Sequence, residues 1–342
     1  MNYNIQLLRA VAIFFVILDH VSSWFQFYNP DKKIYYSYQA IAKNGVPIFI
    51  MISGALLLYN KQESISDFFK KRVKRIAIPF VFWSYIYLIY QKNVPLLPWQ
   101  RSFDAENISF NPFIILKQPT YGHLWFMYLL ISLYLTVPIL RKISDNISKN
   151  LLCYILVLLM INSTQQYITG VLGKNIIYAG FDFKILMNYT IYLLLGFVFI
   201  QPNNLKNVKN KTAIAWFLGG IIINITLPII FANDKILAIS FWSANSPFLM
   251  LSTIGIFILI INLRISPKLE SIIKSLGDSA FGIFFIHFIV LYALTLINIG
   301  SNSLFTIGTP AFMILMTSCI CFVISYVISI ILKKIPIIRE TI

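Results

Sequence analysis

Ten long apolar segments run through the chain and restrict what it can fold into. A helix that crosses a bilayer needs about 20 mostly apolar residues, and these segments are of that order. In chain order they are Ile5–Phe27, Ala42–Tyr59, Ile76–Tyr90, His123–Leu140, Leu151–Tyr167, Ile185–Ile200, Thr212–Phe231, Pro247–Leu263, Ala280–Ile299 and Thr309–Leu332. The sequence therefore predicts an all-α, polytopic transmembrane bundle of about ten helices, with residues 1–342 forming a single membrane domain.

Composition and charge agree with a membrane protein. Hydrophobic residues make up 58% of the chain and charged residues only 12%, which lies outside the usual range of soluble domains. About two thirds of the 28 Lys and Arg residues fall on one side if the amino terminus is cytoplasmic, as expected for cytoplasmic loops. Both termini are therefore predicted in the cytoplasm. Anionic membrane lipids then account for the net charge of +16, and no nucleic-acid partner is expected.

The first apolar segment, "NIQLLRAVAIFFVILDHVSSWF", contains Arg9, Asp19 and His20. Charged groups inside hydrocarbon are costly and usually functional. Arg9 and His20 are eleven positions apart, so on a helix they point in nearly the same direction and lie about 16 Å apart along the axis. This spacing predicts Arg9 at the cytoplasmic interface and His20 near the middle of the membrane. Asp19 points about 100° away from His20, so we expect its partner on another helix.

Two plainer interpretations apply to this segment. Arg9 taken alone fits an interfacial anchor of the positive-inside kind. A signal peptide would have a shorter apolar core, without Asp19 and His20, and a small-residue cleavage site. We therefore expect a retained transmembrane helix.

The second and third segments carry further candidates. In "NGVPIFIMISGALLLY" the small residues, Ser53 among them, interrupt the apolar run and favour close helix packing. In "KKRVKRIAIPF", Arg72 and Arg75 lie one helical turn apart at the cytoplasmic edge. Two guanidinium groups with this spacing suit a multiply phosphorylated ligand, and they suit lipid phosphates equally well.

The chain has only three histidines, and His20 and His287 both fall inside apolar segments. The third, His123, opens the fourth segment together with Trp125, in "YGHLWFMYLL" at the predicted outer interface, where an aromatic belt also places tryptophan. Asp278 and Ser279 resemble the start of the ninth helix, which would put His287 about 10 Å into the hydrocarbon. This distribution favours use of the imidazoles in proton transfer.

The long outer loop, residues 91–122, carries aromatic and charged side chains that suit a saccharide or an interfacial hairpin: Trp99, Arg101, Asp104 and Glu106. The three cysteines, Cys153, Cys319 and Cys321, show no CxxC spacing, so neither a disulfide nor a metal site is predicted. The chain lacks GxGxxG, P-loop, HExxH, GxSxG and HxxxxD motifs. The absence of paired carboxylates argues against a glycosidase and against a carboxylate-based proton pump.

Taken together and in order, these motifs resemble those of the acyltransferase 3 family of bacterial integral membrane O-acyltransferases. Arg9 and His20 match its pattern of an arginine, ten residues and a histidine, and Arg72 with Arg75 matches its basic pair before the third helix. The stretches "GVPIFIMISGALLL", "GHLWFMYLLISLYLTVPIL" and "DSAFGIFFIHFIVLY" resemble its other landmarks. The resemblance covers essentially the whole chain.

The resemblance implies transfer of an acyl group, most often acetyl from acetyl-CoA, to a hydroxyl of a cell-surface or lipid-linked glycan at the bacterial inner membrane. It implies His20 as the general base and Arg9, Arg72 and Arg75 as ligands of coenzyme A phosphates, with no metal. His123 and Trp125 would position the acceptor. His287 would be a proton relay or an orienting group. Ser53 could carry a transient acyl group, although no base is identifiable beside it in the sequence.

Two other classes of function stay open on the sequence alone. A transporter or exporter of a glycan precursor or small solute would also bury polar residues, although it would more often show internal repeats or paired broken helices. A structural subunit of a glycan-assembly complex is the third interpretation. The sequence predicts neither the oligomeric state nor the exact acceptor.

Overall fold

The computed structural model describes residues 2–27, 32–58, 63–94, 113–146, 148–172, 189–201, 208–231, 241–299, 302–303 and 308–342. The helices in these ranges are α1 Tyr3–Phe25, α2 Lys32–Ala42, α3 Gly45–Leu57, α4 Ile65–Arg72, α5 Ile78–Asn93, α6 Ile114–Lys117, α7 Trp125–Asn146, α8 Lys149–Leu172, α9 Thr190–Ile200, α10 Asn210–Ile230, α11 Pro247–Ile261, α12 Pro267–Thr295, α13 Pro310–Leu332 and α14 Pro336–Arg339. A two-residue antiparallel pair, β1 Asn298–Ile299 and β2 Asn302–Ser303, connects α12 to α13.

Apolar helices account for the predicted spans. Within the described ranges, eight helical segments are long and apolar enough to cross a membrane, and the shorter apolar helices α9 and α11 correspond to the sixth and eighth predicted segments. Large apolar side chains such as Leu135, Ile139 and Phe312 project outward from α7 and α13, as lipid-facing residues do. The prediction of an all-α polytopic membrane bundle is confirmed.

Helix α1 lies at the centre of the bundle and packs against α2, α3, α11, α12 and α13. Its side chains Leu8, Ile13 and Ile17 are fully buried. Asn4 fixes its first turn, because the Nδ2 group donates to the Ile260 carbonyl at 2.6 Å, at the end of α11. The face of α1 that contains Arg9 and His20 is therefore held in one orientation.

The third predicted segment is longer than expected, because α4 continues into α5 through a π-helical turn at Val73–Ala77. The Ile78 N–H donates to the Val73 carbonyl, five residues back. Pro79 follows and has no N–H for the carbonyl of residue 75, so the ladder must deviate here. Arg75 lies in this turn, and Arg72 directly precedes the turn in the same continuous helical segment.

The helix start predicted at Asp278 and Ser279 is wrong. Helix α12 begins eleven residues earlier, at Pro267, which occupies the first helical position where its missing N–H does no harm. Asp278 lies inside α12 and accepts a hydrogen bond at 2.8 Å from the Gln6 side chain of α1. Ser279 instead receives a hydrogen bond from Lys333 Nζ at 3.1 Å. Trp99, Arg101, Asp104 and Glu106 lie outside the described residues.

Helices α3 and α9 approach each other closely at two glycines. A Cβ atom on Gly54 would collide with the Leu193 carbonyl, and one on Gly196 would collide with the Met51 carbonyl. The small residues seen in the second segment therefore serve helix contact, as the packing interpretation predicts.

We expect Gly54→Ala to destabilise the folded protein by about 1–3 kcal/mol, because the added methyl group would force α3 and α9 apart. Thermal unfolding in detergent measures this. Gly219→Ala in α10 is the matched control: its Cβ would meet no atom within 4 Å, and alanine should improve helix stability by about 1 kcal/mol. Equal melting temperatures for the two variants would contradict the close contact.

Candidate active site

The three histidines of the chain converge on one cluster, although they come from distant positions in the sequence. His20 projects from α1, His123 from a 3₁₀ turn at Gly122–Leu124 that precedes α7, and His287 from α12. The rings of His20 and His287 stack with centroids 5.4 Å apart, and the ring of His123 lies 5.2 Å from that of His287 at a steep angle. We call this group the histidine cluster.

The buried members of the cluster have spare hydrogen-bonding capacity. His287 is fully buried, and its Nδ1 lies 2.7 Å from the Phe284 carbonyl. A carbonyl only accepts, so Nδ1 carries the proton and Nε2 keeps a lone pair. Among the described residues, neither His287 Nε2 nor either nitrogen of the buried His123 has a hydrogen-bond partner. Three imidazole nitrogens in one cluster can therefore exchange hydrogen bonds with a ligand or take up a proton.

A cavity of about 660 Å³, which we call the His20 cavity, opens beside the cluster. His20 and His123 form part of its wall, and the aromatic side chains around them include Tyr35, Trp125, Tyr189 and Trp242. Trp125 is 41% exposed, so its ring is available to a molecule in this cavity. Aromatic walls with a few convergent polar groups are typical of small-molecule sites.

Asp19 forms an ion pair with Lys43 at 2.9 Å across this cavity wall. Lys43 follows α2, so the partner lies off α1, as the direction of the Asp19 side chain predicts. The neighbouring Asn44 is buried and accepts hydrogen bonds at 2.8 Å from Ser252 and Thr253 of α11, which fixes the start of α3 and the position of Lys43. The hydrogen bonds of Asn44 therefore help to fix the position of the Asp19–Lys43 ion pair.

A second cavity of about 260 Å³, the Arg9 cavity, contains all three arginines singled out in the sequence. Arg9, Arg72 and Arg75 line it together with Ser53 and Tyr134. Ser53 Oγ donates to the Phe49 carbonyl at 3.0 Å and lies 3.1 Å from the Tyr134 hydroxyl. No histidine lines this cavity within the described ranges, so Ser53 has no imidazole base beside it.

A comparison with known protein families identifies the family of the chain. The family model of acyltransferase 3, described as an acyltransferase domain, matches residues 2–333. The chain belongs to the acyltransferase 3 family. It is therefore an acyltransferase and a multi-pass membrane protein. Searches of curated proteins and of solved structures each found no match.

In this acyltransferase the two cavities share one wall. Phe49, Phe126 and Phe284 line both of them, and the ring of Phe284 also contacts His123 at 5.1 Å between centroids. Arg9 and His20 lie on one face of α1, about 16 Å apart along its axis, with one cavity at each position. A group bound at the arginines therefore reaches the histidines by passing the three phenylalanines.

We call Phe49, Phe126 and Phe284 the phenylalanine wall. Sequence reasoning missed this wall, and it also missed Lys43 and Tyr134. Lys43 had a signal, since it is one of the few basic residues on the predicted outer side and is the second residue of an apolar segment. Phe284 had a weaker one, because it precedes His287 by three positions and so shares its helix face. Tyr134 and Phe126 had no signal that separates them from other aromatic residues of α7.

We expect Asp19 and Lys43 to be energetically coupled. In a double-mutant cycle of Asp19→Asn and Lys43→Gln, each single change should lower the melting temperature and the second change should add little, with a coupling of about 1 kcal/mol. The control cycle uses Lys74→Gln and Glu340→Gln, an ion pair of 3.1 Å that is largely exposed and should show no measurable coupling. Additive effects at Asp19 and Lys43 would show that the contact does not stabilise the site.

Proposed function

We propose that this acyltransferase moves an acetyl or other short acyl group from acyl-CoA to a hydroxyl of a cell-surface or lipid-linked glycan in the bacterial inner membrane, with both termini cytoplasmic. One observation carries the proposal. Arg9 and His20, on one face of α1, line two adjoining cavities of different chemistry, one with three arginines and one with imidazoles and aromatic rings.

The Arg9 cavity suits the phosphates of the donor, acetyl-CoA. Guanidinium groups pair with phosphate oxygens through two parallel hydrogen bonds, and Arg9, Arg72 and Arg75 can do this with no metal ion. From these phosphates the pantetheine arm would extend along α1 past the phenylalanine wall. The distance to cover, about 16 Å, is of the order of that arm.

The His20 cavity suits the acceptor. His123 offers two nitrogens that have no partner among the described residues, and these can bond to sugar hydroxyls. Trp125 exposes part of its ring to the same cavity, where a flat aromatic surface can cover the apolar face of a sugar. The aromatic lining also suits a lipid-linked saccharide held close to the membrane.

The reaction requires a base, because a sugar hydroxyl is a weak nucleophile. In the proposed step a nitrogen of His20 takes the hydroxyl proton as the oxygen attacks the thioester carbonyl. The carbon–sulfur bond then breaks, and the leaving thiolate of coenzyme A takes that proton back. General base catalysis of this kind commonly contributes a factor of about 10² to 10⁴ in rate.

His287 supports His20 in this proposal. Its Nδ1–H is directed to the Phe284 carbonyl, which fixes its ring, and Nε2 has no hydrogen-bond partner among the described residues. The two rings stack with centroids 5.4 Å apart, so His287 orients the His20 ring. Ser53 has no part in the acyl transfer, because its hydroxyl lies in the other cavity and is bonded to Phe49 and Tyr134.

The acceptor class rests on likeness within the family. In size and in the stretch "HLWF" the chain resembles the enterobacterial common antigen O-acetyltransferase. A polymeric or lipid-linked glycan is therefore the acceptor that we would test first. The transporter alternative would need a polar path through the membrane, and the three phenylalanines between the cavities speak against one.

We expect His20→Ala to lower the rate of acetyl transfer to glycan at least about 100-fold while leaving acetyl-CoA affinity within twofold. Mass spectrometry of the glycan and calorimetric titration of the purified protein measure the two effects. Arg72→Gln should instead act mainly on the donor and weaken the binding of acetyl-CoA. Arg264→Gln, on an exposed basic residue that lines neither cavity, is the control. Wild-type transfer by folded His20→Ala would remove the assignment of the base.

We expect the phenylalanine wall to control passage of the acyl group. Phe49 is only partly buried, so Phe49→Trp should fit while narrowing the connection. The rate of transfer should fall at least about tenfold with donor affinity unchanged, since the phosphates bind at the other end. Phe15→Trp in α1, also partly buried but away from both cavities, should have no effect on the rate. A loss of donor affinity in Phe49→Trp with normal turnover at saturation would argue against this path.

A further inference from the structure

A third cavity, of about 680 Å³, adjoins the Arg9 cavity on the side away from the histidines. The two share Arg75, Asp278 and Phe281. We call it the tail cavity, because Arg339, Glu340 and Ile342 of the last described residues form one of its walls.

The wall formed by the last residues is a packed part of the fold. Helix α14 ends at Arg339, and the next turn is pinned where Trp83 Nε1 donates to the Thr341 carbonyl at 3.1 Å. Thr341 is buried, and Ile342 packs against the hydrophobic core. Arg339 and Glu340 are therefore held opposite α4 and the π-helical turn.

Positive charge dominates the lining of the tail cavity. Five cationic side chains face two carboxylates, those of Asp278 and Glu340; the five are Lys70, Lys71, Lys74, Arg75 and Arg339. Lys71 is already occupied, since it binds Glu63 at 2.7 Å, and this hydrogen bond lowers the pKa of the Glu63 carboxyl. Within the described ranges Lys70, Arg75 and Arg339 form no ion pair at all.

Cytoplasmic loops are basic in most membrane proteins, so charge alone does not define a site. Residues such as Arg264, Lys268 and Lys334 illustrate the general case, because they are exposed on the same predicted side and line none of the cavities described above. The lining of the tail cavity differs in that its cations come from two distant parts of the chain and converge on one concave space. That space is continuous with the arginines assigned to the donor.

We propose that the tail cavity binds the phosphorylated nucleoside end of the donor, with Arg339 and Lys74 contacting the ribose 3′-phosphate of coenzyme A. This rests on the proposed function, in which Arg9, Arg72 and Arg75 hold the pyrophosphate. Arg75 belongs to both cavities and marks the junction between the two phosphate positions. Phe281, also shared, offers an aromatic surface near the adenine.

The Lys74–Glu340 ion pair fits this role. Its nitrogen–oxygen distance is 3.1 Å, but both side chains are largely exposed, and such pairs contribute little to stability. An incoming phosphate can therefore replace the Glu340 carboxylate on Lys74 without loss of the fold. Donor binding would then free the carboxylate from the cavity wall.

Calorimetric titration of the full-length protein in an uncharged detergent tests the proposal, with coenzyme A and dephospho-coenzyme A as the probes. Dephospho-coenzyme A lacks only the 3′-phosphate and should bind wild type about tenfold more weakly, the range of one charge-assisted contact. Arg339→Gln should weaken coenzyme A about tenfold and leave dephospho-coenzyme A within twofold. Arg339→Lys, which keeps the charge, should restore part of the difference. Lys334→Gln, a neighbouring exposed charge, should change neither.

Three results would overturn the inference. Equal affinities of wild type for the two probes would show that the 3′-phosphate has no site, and an equal effect of Arg339→Gln on both probes would place Arg339 elsewhere. The third concerns lipid phosphate, which shares this chemistry. If phosphatidylglycerol nanodiscs weaken coenzyme A binding relative to phosphatidylcholine nanodiscs, and Arg339→Gln removes that difference, the cavity belongs to the lipid headgroup.

The same titrations separate this inference from the proposed function. If wild type binds both probes equally and still acetylates glycan, the proposed function stands and the tail cavity is not the site of the 3′-phosphate. If wild type binds neither probe and transfers no acetyl group, both proposals are wrong.

Discussion

The cost of placing charged side chains and imidazoles among apolar helices governs this molecule. Each such group needs a hydrogen-bond or ion-pair partner, or a cavity that admits water or a ligand, because hydrocarbon supplies no polar partner. The structure meets the requirement in three ways: Asp19 pairs with Lys43, His287 donates to a backbone carbonyl, and Arg9 and His20 border cavities. Among the imidazole nitrogens, both of His123 and Nε2 of His287 are buried without a hydrogen-bond partner within the described residues. These unpaired nitrogens lie together at the proposed reaction centre.

Arg72 and Arg75 are three positions apart, and this spacing lets both line the Arg9 cavity. A π-helical turn at Val73–Ala77 contains Arg75 and precedes Pro79, which cannot continue the hydrogen-bond ladder. The Arg72 guanidinium lies over two aromatic rings, 5.2 Å from the centroid of Phe68 and 5.8 Å from that of Tyr134. These ring contacts restrict the orientation of the Arg72 side chain.

Local periodicity made the helices and the shared face of Arg9 and His20 predictable, because an apolar run and a helical spacing are properties of neighbouring residues. The direction of Asp19 was predictable for the same reason, but its partner Lys43 was not, since that contact depends on how α2 and α3 meet α1. The start of α12 was predicted wrongly because Asp278 has the chemistry of a helix cap. The helix begins at Pro267, and the Asp278 carboxylate accepts a hydrogen bond from Gln6 of α1. The histidine cluster joins three distant helical elements, so no spacing rule could reveal it.

The arrangement also bears on how a thioester survives inside the protein. In the proposed function the donor enters from the predicted cytoplasmic side and the acceptor lies in the His20 cavity, so both ends of the path meet water. Phe49, Phe126 and Phe284 line both cavities, and in the proposed function these apolar rings limit the passage of water from one cavity to the other. Water activated by His20 would otherwise compete with the sugar hydroxyl for the acyl group. The base can thus remain accessible to a glycan while hydrolysis of the donor is limited by the same three rings that admit the acyl chain.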